Sequence, residues 1–167
     1  MGARLAIISD THLPRGTRQL PEACLSRLRA ADRILHAGDL VALSFLEELR
    51  SLGPPVDAVY GNIDEPAVRA ALPSARMIVV DGRRIAMVHD GGPSRGRLER
   101  LRRRFPDADA VVFGHSHIPL HESDEALGLQ IFNPGSPTDR RRSPIHAMGE
   151  ATVDADGVRF MLVDLGA

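Results

Sequence analysis

Apolar residues along this chain come in short bursts separated by polar, glycine-rich joints. The runs LAII (5 to 8), RIL (33 to 35), VDAVY (56 to 60), RIAMV (84 to 88), DAVVF (109 to 113) and LQIF (129 to 132) are strand-length. Most lack polar alternation, which predicts strands buried on both faces. Between the early runs lie PEACLSRLRA, with Pro21 in the first turn, SFLEELRS from Ser44, and EPAVRAAL, each with helical character. The first half therefore reads β-α-β-α-β-α. From Arg76 the rhythm changes. ARMIVVDGRRIAMVH is two apolar runs joined by Asp81-Gly82, a strong hairpin signal, and a second hairpin is expected about Asp156-Gly157. Between them SRGRLERLRRRF predicts one basic amphipathic helix, with Leu98, Leu101 and Phe105 on its apolar side. The pattern predicts an α/β protein with a mixed sheet, or two packed sheets, and helices outside. Neither linker nor repeat interrupts residues 1 to 167, so one domain is expected.

Composition narrows the function classes. A formal net charge of −1 over 167 residues provides no global basic field for a nucleic-acid backbone. Cys24 is the single cysteine, so one chain builds neither a disulfide nor a thiolate metal cluster, and a reducing compartment is expected. The N-terminal segment enters a strand-like run at once, and no apolar run approaches the roughly 18 residues of a membrane span. A cytoplasmic location without membrane attachment is the expectation. Oligomeric state is not legible, because Phe45 with Leu43 and Leu46 suits a core or an interface equally.

The ends of the six runs carry the chemistry. They stop in Ser9-Asp10-Thr11-His12, His36-Ala37-Gly38-Asp39, Gly61-Asn62-Ile63-Asp64, His89-Asp90-Gly91-Gly92, Gly114-His115-Ser116-His117 and Asn133-Pro134-Gly135-Ser136. In open α/β sheets ligands bind outside the carboxyl ends of the strands, where loops converge on a rigid base. Two aspartates, one asparagine and four histidines without cysteine suit divalent Mn, Fe, Zn, Ni or Co. Seven such side chains exceed one catalytic ion and suit two ions about 3.5 to 4 Å apart that share a carboxylate. Glycines 38, 61 and 114 would let the backbone turn tightly against them. Singly, strand-end aspartates are most often turn or cap residues. The ordered set together with the histidines is what carries the metal reading.

The series Asp10-x-His12, Gly38-Asp39, Gly61-Asn62-x-Asp64, His89 and Gly114-His115-x-His117 resembles the calcineurin-like metallophosphoesterase superfamily. Asn133-Pro134-Gly135-Ser136 resembles its small single-domain bacterial and archaeal phosphodiesterase branch. The resemblance covers about residues 5 to 140. It implies a four-layer α/β/β/α sandwich of two mixed sheets flanked by helices. It also implies two divalent metal ions, manganese foremost: Asp10, His12, Asp39 and His117 would hold one, and Asp39, Asn62, His89 and His115 the other. Asp39 and a hydroxide nucleophile would bridge them, with Asp39, Asn62 and His115 as the catalytic residues and a small phosphate ester as the substrate.

Two departures stand out. Many relatives carry a general-acid histidine where this chain has Ile63, and Asp90 stands where relatives usually carry glycine. Asp64, Asp90, His36, Asn133, Ser136 and Arg140 are further candidates for supporting the ligands or touching substrate. His121 and His146 read as packing or surface residues, and the Arg140-Arg141-Arg142 run reads as a solvated face or a phosphate-attracting rim. The expected activity is a phosphodiesterase. The alternatives are a non-catalytic interaction module on the same fold, like the phosphoesterase-like subunit of the retromer coat, and a phosphomonoesterase or protein phosphatase using the same metal pair.

Overall fold

The computed structural model describes residues 2–167. The chain alternates strand and helix at first: β1 (Ala3–Ile8), α1 (Glu22–Ala30), β2 (Arg33–His36), α2 (Leu43–Arg50), β3 (Val56–Ala58) and α3 (Pro66–Ala71). The hairpin β4 (Ala75–Val80) and β5 (Arg83–Val88) follows, then α4 (Arg97–Arg104) and β6 (Ala110–Val112). A second hairpin, β7 (Leu120–Asp124) and β8 (Leu129–Asn133), precedes the final pair β9 (His146–Asp154) and β10 (Gly157–Gly166).

Two five-stranded mixed sheets result, ordered β10-β9-β1-β2-β3 and β4-β5-β6-β8-β7. The unbroken apolar runs are explained by three cores. In β1, Leu5 and Ile7 point between the sheets while Ala6 and Ile8 point toward α1 and α2. In β5, Ile85 and Met87 join the same inter-sheet core, and Ala86 and Val88 face Leu101 of α4. Each fully buried Leu, Ile or Val contributes about 1.5–3 kcal/mol, so strands apolar on both faces anchor both sheets firmly. Phe45 and Leu46 settle into the helix-side core, which answers the core-or-interface question. Cys24 is fully buried there, and burial pushes its thiol up to about 12. Among the described residues, no helix is long and apolar enough to cross a membrane.

One strand departs from the sequence expectation. β7 reads LHESD and is exposed along most of its length, pairing antiparallel with β8 at the sheet edge. What matters for function is direction. β1, β2 and β3 run parallel in one sheet and β5, β6 and β8 in the other, so their carboxyl ends open on one rim.

Candidate metal centre

The loops on that rim are built from unusual backbone. Asp10, His12, Asp39, His115 and His117 all have left-handed φ, between 50° and 71°. Val41 does too, at 101°. Each such residue costs on the order of 1–3 kcal/mol and persists only where its surroundings over-determine it. Here they do. Asp10 N–H donates to Gly38 O (2.9 Å), His12 N–H to Asp39 O (3.1 Å) and Leu13 N–H to Leu40 O (2.8 Å), so the two loops continue side by side beyond β1 and β2. The buried Asp64 carboxylate accepts the amides of Asp39 (3.1 Å), Val41 (2.6 Å) and Gly61 (2.7 Å). On the far side the Asn133 amide donates to Gly114 O (3.0 Å) and Ser116 Oγ (3.1 Å), while Ser136 Oγ–H donates to Asp10 O (2.8 Å). Asp64, Asn133 and Ser136 thus brace ligand loops.

Two glycines are required by close approach. A Cβ at Gly61 would lie 2.1 Å from Asp39 Oδ1, and one at Gly114 would lie 2.0 Å from Ser9 Oγ and 2.6 Å from Asp10 Oδ2. Carboxylates press on these backbones directly.

Seven side chains meet where the loops converge. Asp10, His12 and His117 form one group and Asp39, His89 and His115 a second, the donor atoms of each within 4.8 Å of one another. Asp39 Oδ2 lies between them, 3.5 Å from His12 Nε2 and 3.2 Å from His89 Nε2. Asn62 Oδ1 completes the second group, 3.1 Å from both His89 Nε2 and His115 Nδ1. His117 Nε2 stands 3.4 Å from Asp10 Oδ1.

The chemistry of this donor set fits divalent cations. Among the described residues, four buried side-chain atoms lack a hydrogen-bond partner, and Asp10 Oδ1, His12 Nε2 and His117 Nε2 are three of them. Buried polar atoms are rarely left so, and three within 4.8 Å of one another suit a cation. The histidine tautomers agree. His89 Nδ1–H donates to Ala37 O (2.8 Å) and His117 Nδ1–H donates to Asp139 O, which leaves both Nε2 lone pairs facing the centre. Burial raises the Asp10 carboxyl above its usual range, against the pull of His89 and His117. Burial would also raise Asp39, but the imidazoles of His12 and His89 and the Ile63 amide (3.0 Å) outweigh it and hold that carboxyl below its usual range. His89 is lowered by burial and, more strongly, raised by Asp39 and Asp10, while burial lowers His117.

Other candidates fall elsewhere. His36 is buried beneath the loops, with Nδ1 accepting Gly38 N–H (3.1 Å) and Nε2–H donating to Thr11 Oγ1 (3.0 Å). Asp90 touches no ligand histidine through hydrogen bonds; its Oδ1 accepts Gly92 N–H (2.7 Å) and shapes the loop. Arg140 turns away to Ser143 O (2.8 Å), and the neighbouring Arg141 lies nearer the centre, 3.5 Å from His115 O. Sequence reasoning missed Asp139. Its carbonyl holds His117, its carboxylate lies 3.6 Å from His12 Nδ1, and Arg18 pairs with that carboxylate at 3.1 Å.

A two-sheet α/β sandwich with paired Asp/His groups at the carboxyl ends of its parallel strands defines a metallophosphoesterase with two candidate metal sites. The chain belongs to the calcineurin-like phosphoesterase superfamily, whose domain matches residues 3–156. It is similar to a probable metallophosphoesterase of Methanothermobacter thermautotrophicus, 36% identical over 136 residues that cover 80% of this chain and 77% of the relative. A Thermotoga maritima protein solved by NMR is 30% identical with a TM-score of 0.77, covering 98% of this chain and 99% of that one. Zinc-complexed Vps29 from Entamoeba histolytica shares the fold at a TM-score of 0.75 and 22% identity, covering 96% and 98%.

Proposed function

We propose that the protein is a binuclear, metal-dependent phosphodiesterase, with Mn²⁺ as the working ion. The observation that carries this is the Asp39 carboxylate placed between two Asp/His groups, 3.5 Å from His12 and 3.2 Å from His89. Asp10, His12, Asp39 and His117 would hold one ion, and Asp39, Asn62, His89 and His115 the other. Such a pair, when bound, lowers the pKa of a water and neutralises phosphoryl oxygens.

The chain's own residues do the rest. Asp64 and the Ile63 amide fix Asp39 from behind, so the shared ligand needs little reorganisation when substrate arrives. Asn62 and His115 are exposed and border the entrance, where the ester would dock. Ile63 offers no proton to a departing alkoxide, which favours diesters whose leaving group departs as a stable anion.

The test is hydrolysis of bis-(p-nitrophenyl) phosphate by chelator-stripped protein titrated with Mn²⁺. Saturable, metal-dependent release of p-nitrophenolate is expected. Folded protein that binds two ions and hydrolyses no diester would redirect the assignment to monoesters, and inactivity there to a binding module.

A further inference from the structure

We propose that the cavity beside the exposed half of the centre seats a second anionic group of the substrate, and that Arg104 selects for it; the inference rests on the phosphodiesterase reading. The cavity is about 350 Å³ and is walled by Tyr60, Asn62, Arg69, His89, Arg104 and His115, among others. One wall is therefore the exposed ligand group itself. At about 30 Å³ per water it has room on the order of ten waters, enough for an ester arm as well as a phosphoryl group.

Its charge sets the chemistry of that arm. Arg69 is already committed: Nε donates to Asp64 O (2.9 Å), one terminal nitrogen to Asn62 O (2.7 Å), and the guanidinium lies over the Tyr60 ring at 5.1 Å. It fixes the loop that carries Asn62. Arg104 is different, with neither a hydrogen bond nor an ion pair to any described residue, only the Phe105 ring 5.3 Å from its guanidinium. The contrast along α4 is informative. Arg97 donates to Gly92 O, Arg100 to Gly91 O and Pro93 O, and Arg102 to Ala108 O and Gly128 O. These three arginines hold backbone in place; Arg103 and Arg104 make no such bond, and of the two Arg104 is the one that borders the cavity. Asp90 is the one carboxylate on the cavity wall, and its Oδ1 is bonded to the Gly92 amide. Two guanidiniums against one carboxylate favour an anion, and a planar fork matches phosphate.

The experiment compares two aryl diesters on the Mn²⁺-loaded full chain. One is thymidine 5′-(p-nitrophenyl phosphate); the other is the same diester carrying a 3′-phosphate. The leaving group is the same and only the arm's charge differs. The wild type should favour the phosphorylated arm in kcat/KM, and Arg104→Ala should cut that preference about fivefold, the size of one charge-assisted contact at an open site. Arg104→Lys should restore part of it, and Arg103→Ala should leave it unchanged. An unaltered preference in Arg104→Ala overturns the inference. If neither diester is hydrolysed, the phosphodiesterase reading fails, and calorimetric titration of thymidine 3′,5′-bisphosphate into metal-free protein still decides the seat. Weaker binding by Arg104→Ala, again about fivefold, upholds it, and equal binding rejects it.

Discussion

The two ligand groups share Asp39 and differ in almost everything else. Asp10, His12 and His117 are buried and wrapped by left-handed loops, with Asp139, Ser136 and Thr11 packed behind them. His89 is buried too, but its partners Asn62 and His115 are exposed and border a cavity. A closed donor set restricts exchange and geometry, whereas an open one leaves room for substrate. On the proposed function, the buried group would be the more rigid half of the centre and the exposed group the half that meets the ester. The sharpest way to break this division is at the residue common to both. Asp39→Ala should lower kcat/KM for bis-(p-nitrophenyl) phosphate on the order of 10³-fold or more and reduce the bound Mn²⁺ below two per chain. Activity within tenfold of wild type, with two ions still bound by elemental analysis, would show that no shared carboxylate is needed.

The exposed half makes the next largest claim. Ile63 uses its amide on Asp39 and presents a side chain that transfers no proton. General-acid assistance is worth roughly 10²- to 10⁴-fold, so diesters with aliphatic leaving groups should be slower than nitrophenyl diesters by at least about 10². Ile63→His should narrow that gap, raising the rate on alkyl diesters while the nitrophenyl rate changes little. Equal rates on both classes in the wild type would place a proton donor elsewhere on the rim.

The ligand series was legible in the sequence, its split into a buried and an exposed half was not, and the illegible parts share a physical cause. The strand-end series from Asp10 to His117 could be read because metal ligands must be particular residue types, and because strands buried on both faces leave unbroken apolar runs. β7 could not: LHESD is a sheet edge with one half-buried apolar residue, Leu120, so neither period nor composition marks it. Asp139 was hidden because its bond to His117 uses a backbone carbonyl, which any residue provides. In the Arg140-Arg141-Arg142 run, three identical side chains leave the facing residue to the turn. The turn, with Arg141 at φ 48°, directs Arg141 toward His115 and Arg140 toward Ser143.

Asp139 provides a smaller and more selective test. A residue that orients ligand histidines typically contributes 10- to 100-fold in metal affinity. Asp139→Ala keeps the carbonyl on His117 but removes the carboxylate from His12 and Arg18, so the lower end is expected. A Mn²⁺ titration should show about a tenfold weakening of one binding step, that of the buried group, with the other unmoved. Equal weakening of both steps would mean the halves are coupled more tightly than their surroundings suggest.

The last expected effect concerns acid and is read on stability, with activity untouched at neutral pH. His36 lies under the buried half, between Thr11 and the Gly38 amide, and burial, aided by His89, lowers its pKa from 6.5 to about 3. The unfolded chain takes up this proton below about pH 6.5 and the folded chain does not until about pH 3. Stability from the neutral imidazole is therefore fully present above the unfolded value and is lost as pH falls through that window, by up to about 1.4 kcal/mol per pH unit for one proton. Protonation would also deprive Gly38 N–H of its acceptor, one residue before Asp39. Asp10, Asp39, His89 and His117 titrate nearby, so the informative quantity is a difference: the pH slope of metal-free unfolding free energy in wild type minus that in His36→Gln. A slope reduced between pH 4 and 6 locates the acid sensitivity beneath the buried half, and an unchanged slope assigns it to the ligands themselves.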